Sequence, residues 1–320
     1  MGSILEETCR IMQLPIGLVV LLLLGSGLLL SRIRFCMVAA VDEARQGNWS
    51  LTKAITLISL MISAVLLLYT LAGGEPSTQV AANRQVILGG VIFGLAAAWN
   101  QACFISTSVQ LTAGELNALW PVAGWLIGFR LMAAALPPTR LHADGLNNAI
   151  ALLVLAAWLG LLLLRDRRTA SEQSAAASPA SIDWRASVAC GLMLGFVDND
   201  LWLWNPSALA RQLAHPHLLA LHWGEGGAAS LLGLVLLLGM ALNATLQHRF
   251  KLRPLQLQQW RRLPCGIGMA IGATLAMGGN DTQLLRYLPG GSPHTWVALP
   301  AMAAGILLGL SLAEWRHRMV

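Results

Sequence analysis

The chain is a succession of apolar runs parted by short polar or basic segments. The runs fall at about 11–30, 54–72, 85–103, 118–136, 147–164, 186–206, 225–247, 264–283 and 296–313. A helix that crosses a bilayer needs about 20 predominantly apolar residues. The pattern therefore predicts an all-α polytopic membrane protein with about nine transmembrane helices. The first run does not read as a cleaved leader. Glu6 and Glu7 stand beside a single Arg10 ahead of it, no small-residue cleavage site follows, and Arg32 and Arg34 come next, as after a retained span.

Composition agrees with this reading. Of 320 residues 56% are hydrophobic and 11% charged, against the roughly 25% charged of a soluble domain. The net charge of +6 is spread in short clusters between apolar runs and forms no basic face, so it does not point to nucleic acid. Basic clusters of this kind mark cytoplasmic loops. With the N-terminus outside, the inner segments take Arg32, Arg34, Arg45 and Lys53, then Arg165, Arg167, Arg168 and Arg185, then the five from Arg249 to Arg262, and finally Arg316 and Arg318. The expected topology is N-terminus out, C-terminus in. Segment 104–117 is assigned to an inner loop yet carries no Lys or Arg, which leaves room for a re-entrant segment there.

Thr169 to Ser181 is small, polar and proline-punctuated and reads as a flexible linker. It divides the chain into a first membrane half, 1–168, a cytoplasmic linker, 169–185, and a second half, 186–320. A half of five spans followed by one of four makes the two antiparallel. Glycines recur at matching places, with Gly89, Gly90 and Gly94 opening the third span and Gly266, Gly268 and Gly272 the eighth. The stretches 25–36 and 190–200 pair in the same way. Glycines at spacing four let helices pack closely. Their recurrence in two antiparallel halves also fits inverted pseudo-repeats with short broken or re-entrant helices and a binding site between the halves.

These segments carry a resemblance. The stretch Gly27-LLLSRIR-Phe35-Cys36-MVAAVDEAR is a glycine-started helix ending in Arg, then Phe-Cys, then a small-residue helix. Gly89-Gly90-VI-Phe93-Gly94-LAAAWNQA-Cys103 is a glycine pair, Phe-Gly and a small-residue run closing on Cys, and Gly266 to Gly279 is a glycine-rich run. Together with the closing segment from Trp296, they resemble the YeeE/YedE sulphur-transport family, which includes thiosulfate importers. The resemblance covers nearly the whole chain. It implies a permease of the bacterial inner membrane for a small inorganic sulphur anion such as thiosulfate. It departs at Asn280, where the family offers a cysteine after paired glycines, and at Asn100-Gln101-Ala102, where glycines are expected.

The candidate site follows from both readings. A free thiol titrates near about 8.5, so at neutral pH it is a weak, uncharged donor that holds an anion loosely enough to release it. Cys36 and Cys103 are the expected substrate thiols, while Cys9 and Cys190 read as small buried hydrophobes. Cys265 is not counted as a replacement for the missing family cysteine, and the five cysteines form no disulfide framework. Polar groups at membrane depth are expensive unless they face a partner or a cavity, which adds Asn100, Gln101, Asn280 and Asp281. Asn199 and Asp200 follow the sixth-span glycines in the same way. Asp198, Asp200 and Asp281 repel anions, which leaves them to couple a proton, bind a cation or sit at the outer interface. His215, His217, His222 and Glu225 have metal-ligand chemistry but no helix face to fix them, so no metal and no cofactor are expected. Trp202, Trp204 and Trp223 suit an interfacial belt. No phosphate loop or catalytic triad pattern occurs, so the protein does not read as an enzyme. Besides the anion and the bilayer, a second reading has the membrane protein delivering sulphur to a cytoplasmic sulphur-carrier partner.

Overall fold

The computed structural model describes residues 15–132, 140–141, 145–172, 183–198, 204–214 and 226–319. In chain order the helices are α1 (Ile16–Ile33), α2 (Met37–Arg45), α3 (Ser50–Leu71), α4 (Arg84–Asn100), α5 (Phe104–Thr112), α6 (Leu119–Leu131) and α7 (Gly145–Glu172). They continue with α8 (Trp184–Asp198), α9 (Pro206–Ala214), α10 (Gly226–Leu246), α11 (Arg262–Leu275), α12 (Asn280–Thr282) and α13 (Thr295–Met319). A π-helical turn, Gln283–Tyr287, prolongs α12. Strand pairing among the described residues is confined to β1 (Gln79–Val80) with β2 (Arg140–Leu141). The protein is thus an all-α membrane protein, as its sequence predicts. A helix satisfies its backbone internally where lipid offers no partner.

Among the described residues five stretches are long and apolar enough to cross a membrane: Ile16–Arg45, Ser50–Leu71, Arg84–Thr112, Gly145–Arg165 and Thr295–Trp315. Trp184–Val197 and Leu232–Leu246 are shorter apolar helices. Large apolar side chains such as Leu21, Leu153 and Leu238 are 60% or more exposed, a surface suited to lipid and costly in water. Small residues make the interior. A Cβ on Gly94 would strike the Met302 carbonyl and one on Gly305 the Val91 carbonyl, so α4 and α13 cross backbone to backbone. Gly124 against Leu263 and Gly266 against Pro121 do the same for α6 and α11, and Gly27 against Leu236 and Gly239 against Leu24 for α1 and α10. These approaches need glycine for room, as small-residue interfaces between membrane helices generally do.

Segment 104–117 differs from the loop expected of it. Residues Phe104–Thr112 are helix α5, continuing α4 after a break. The turn after it pairs with the basic segment further on, where the Lys251 amide donates to the Ala113 carbonyl and the Arg253 amide to that of Gly114, at 3.0 and 2.9 Å. The missing basic residues are supplied by a neighbour in space. The linker region is also more ordered at its edges than its composition implies. Helix α7 runs to Glu172, and α8 starts at Trp184 behind Asp183, whose carboxylate accepts from the Ala186 amide and pairs with Arg32 at 2.9 Å. Residues 173–182 lie outside the described residues, as do Cys9, Asn199, Asp200, Trp202, His215, His217, His222, Trp223 and Glu225.

Candidate functional site

Helices α1, α4 and α11 end in one way. A left-handed residue closes each: Arg34 at φ 60 directly after α1, Gln101 at φ 58 directly after α4, and Met277 at φ 63 two residues past the end of α11. The amide of the following residue reaches back five positions: Phe35 to Leu30 at 3.2 Å, Ala102 to Ala97 at 3.2 Å and Gly278 to Ala273 at 2.8 Å. This is a Schellman cap, which satisfies the last carbonyls of a helix. A new helix then starts at once. Its first amides have no intrahelical acceptor and point into the gap, so each break presents donors inside the protein.

Cys36 is the N-cap residue of α2 and Cys103 that of α5. Both are buried and both are free thiols. The two thiols lie close enough to act on each other electrostatically. Cys36 also lies against the Ser106 hydroxyl and the Ala39 amide, and Cys103 against the amides of Ser106 and Met37. Each sulphur therefore sits over the open first turn of the short helixes it joins. Cys190 behaves as expected of a buried hydrophobe, its thiol near the Ser26 carbonyl at 4.0 Å.

The break between α11 and α12 brings Gly279 against the Phe104 ring, where a Cβ would come within 2.7 Å. Phe104 follows Cys103 directly and packs on Trp125, Phe93 and Phe129 at ring-centroid distances of 4.6, 5.6 and 6.1 Å. This aromatic cluster joins the cysteine break to the Asn280 break. Asn280 is fully buried, and neither its amide nitrogen nor its oxygen has a protein partner. Asp281 corrects an expectation, because it is fully buried and does not sit at an interface. Its Oδ2 accepts from the Ser207 amide at 2.8 Å, while its Oδ1 has no hydrogen-bond partner. Ser207 and Thr282 share a hydroxyl contact at 3.0 Å.

The fourth short helix, α9, starts at Asn205, whose Oδ1 accepts from the Ala208 amide at 2.9 Å and the Ser207 hydroxyl at 3.1 Å. Sequence reasoning missed Asn205, Ser207 and Thr282. The run Asn205-Pro206-Ser207 was the available signal, a capping residue followed by proline at the first helical position. Trp204 is buried at this break and is not part of an interfacial belt.

Asn100 and Gln101 face elsewhere. The Asn100 amide donates to the Ala102 carbonyl at 3.0 Å and the Thr107 hydroxyl at 3.2 Å, clamping α4 to α5 across their break. Its oxygen accepts from Arg262 Nε at 2.9 Å. Gln101 lines a cavity of about 490 Å³ together with Trp99, Gln110, Glu115, Gln259, Arg261 and Arg262. The structure thus joins Cys36 to Cys103 and Asn280 to Asp281, and sets Asn100 and Gln101 on a basic cavity. Among the described residues no group of three or more His, Cys, Asp or Glu is arranged to hold a metal.

Apolar helices that break at a buried centre, each break lined by polar or thiol groups, define a multi-pass membrane transport protein. The chain belongs to the YeeE/YedE sulphur-transport family, whose model, described as sulphur transport, matches residues 32–308. Membership points to a membrane sulphur transporter and implies a sulphur anion as substrate and the bilayer as surroundings. No curated protein matches the chain.

Proposed function

We propose that the protein is a bacterial inner-membrane permease for thiosulfate or a closely related anion, passed between two inverted halves along Cys36 and Cys103. The observation that carries this is the facing pair of buried thiols, each capping a short helix. Neutral thiols and open helix N-termini attract an anion without the trapping that a buried guanidinium would cause. Asn280 and Asp281 contribute the second-half contacts, and Asn100 and Gln101 shape the basic mouth.

The packing supports nine spans in two inverted repeats joined by a linker at 169–185. If the pair α1–α2 corresponds to α8–α9, α3 to α10, α4–α5 to α11–α12 and α6 to α13, the interfaces exchange in pairs. The α1–α10 crossing maps onto α3–α8, and α4–α13 onto α6–α11. The seams obey the same exchange. Val80 and Ser292 join the loop after α3 to the loop before α13, as Lys251 and Ala113 join the loop after α10 to the loop before α6. Basic residues on the 113–117 and 249–262 side favour a cytoplasmic C-terminus.

The test is uptake of labelled thiosulfate into cells lacking their own importer. Wild-type protein is expected to restore uptake, and Cys36→Ala with Cys103→Ala to abolish it while membrane levels stay unchanged. Uptake by the double variant equal to wild type would overturn the proposal. Purified protein in liposomes should move thiosulfate unaided, which a subunit working only with a sulphur-carrier partner would not do.

A further inference from the structure

The cavity at the basic end of the molecule is lined by neither Cys36 nor Cys103 and has a chemistry of its own. Arg262 is fixed in its wall by three neutral acceptors: Asn100 Oδ1 at 2.9 Å, the Asn100 carbonyl at 3.3 Å and Gln110 Oε1 at 3.1 Å. A guanidinium has five N–H donors. Those bonds use Nε and Nη2, so both hydrogens of Nη1 are left to a ligand. No carboxylate pairs with Arg262 among the described residues. Glu115 is the one acid in the wall, and it pairs with Arg253 at 3.1 Å. Arg261 is exposed, makes no ion pair among the described residues, and lines both this cavity and a neighbouring one of about 310 Å³ that contains Gln101 and Cys265. Two guanidiniums, neither ion-paired among the described residues and with Glu115 engaged by Arg253 though still felt by Arg262, stand beside the amides of Gln101 and Gln259 and form a preorganised anion receptor. Restraint of Arg262 lowers the entropy lost on binding, and its planar fork matches an oxyanion.

We propose that this cavity is a second anion site, which binds a small tetrahedral dianion through Arg261 and Arg262. It rests on the permease reading for which dianion is relevant, but not for its existence. A lipid phosphate has similar chemistry, and the test separates the two sources.

Cys265 provides the readout, because it is partly exposed whereas Cys36, Cys103 and Cys190 are buried. In a Cys9→Ser background in nanodiscs of zwitterionic lipid, Cys265 is labelled with an anionic or a cationic methanethiosulfonate. The anionic reagent is expected to react about tenfold faster, a difference of about 1.4 kcal/mol. Millimolar thiosulfate or sulfate should slow it at least threefold. Arg261→Gln, which alters only an exposed side chain, should remove most of both effects, and Arg262→Gln should do the same where it folds. Equal rates for the two reagents, no slowing by either dianion, or slowing unchanged in Arg261→Gln would each overturn the site. Slowing only when anionic lipid is added would assign the cavity to a headgroup and overturn it as well. Uptake measured on the same protein separates the two readings. Protection without uptake breaks the permease proposal alone, and uptake without protection breaks this one alone.

Discussion

The two breaks of the first half and the α11–α12 break of the second share a backbone and differ in chemistry. Arg34, Gln101 and Met277 are left-handed after the same five-residue hydrogen bond, and a short helix follows each. In the first half the residue at the start of that helix is a cysteine. In the second it is Asn205 at one break and Gly279 followed by Asn280 at the other. Helix capping determines the shape, because orphan carbonyls and amides must be satisfied or buried against something polar. The side chain beside the gap is free to vary. Two buried, polarisable thiols stand on one side, and an amide and a carboxylate with unpartnered atoms on the other. One backbone device thus recurs beside different side chains.

The largest expected effect falls on the thiol side. Cys103→Ala removes the partner of Cys36 and one donor from the proposed path, and uptake should fall at least about tenfold, the equivalent of about 1.4 kcal/mol. Asn205→Ala at the matching break loses a cap worth about 1 kcal/mol, which should appear as a lower melting temperature in detergent with uptake per folded molecule preserved. The reverse result, with Cys103→Ala silent in uptake and Asn205→Ala inactive though folded, would invert the proposed division of tasks. A smaller change is expected from Asn280→Cys, which gives the second half a thiol. Competition assays should show preference for thiosulfate over sulfate rising by about threefold, about 0.65 kcal/mol, and an unchanged competition profile would mean that Asn280 does not touch the substrate.

Much of this was legible in the sequence, for a physical reason. Membrane spans are read from composition, because lipid demands apolar length and the helix satisfies the rest. The glycines at 89, 94, 266 and 272 announced close crossings, and each does sit against a neighbouring backbone. Cys36 and Cys103 came from the family resemblance, and their proximity required the fold. What did not show was which polar residues answer one another across the chain. Asn100 reads as a substrate amide, yet Arg262, 162 positions later, holds it together with the Ala102 carbonyl and Thr107. Asp281 reads as an interface carboxylate because only tertiary packing brings the first turn of α9 to it. The absent charges of 104–117 were misleading in the same way, since 251–253 supply them from another part of the chain.

Packing tests the second-half break more finely. Gly279 has φ −69 and ψ 173, an extended backbone open to any residue, so Gly279→Ala carries no conformational strain of its own. The added Cβ would lie 2.6 Å from Asp281 Oδ1 and 2.7 Å from Phe104. Overpacking of that kind costs about 1–3 kcal/mol. The melting temperature should drop by several degrees, and adding Phe104→Leu to make room should recover part of the loss. If the double variant is no more stable than Gly279→Ala alone, the contact between the two breaks is not the source of the cost.

The smallest effect is expected at the seam where His294 joins the loop before α13 to the loop after α3. Its amide donates to the Val80 carbonyl at 3.3 Å, and its Nδ1 meets the Ser292 hydroxyl at 2.9 Å. The imidazole is fully buried, and that burial lowers its pKa from 6.5 to about 4. Above pH 6.5 folded and unfolded chains both hold it neutral, so it adds no pH dependence. As pH falls from 6.5 towards 4 the unfolded chain takes up a proton that the folded one refuses, and stability must decrease. Melting temperature in detergent should therefore fall between pH 7 and pH 5, and His294→Gln, with no titration, should flatten part of that slope even if it is less stable at pH 7. The other seam, of Lys251, Arg253, Ala113 and Gly114, is held by backbone bonds among residues that include no histidine, so substitutions there should leave the slope as it is. An equal slope in His294→Gln would mean that the acid sensitivity arises elsewhere and that the two seams do not differ in this respect.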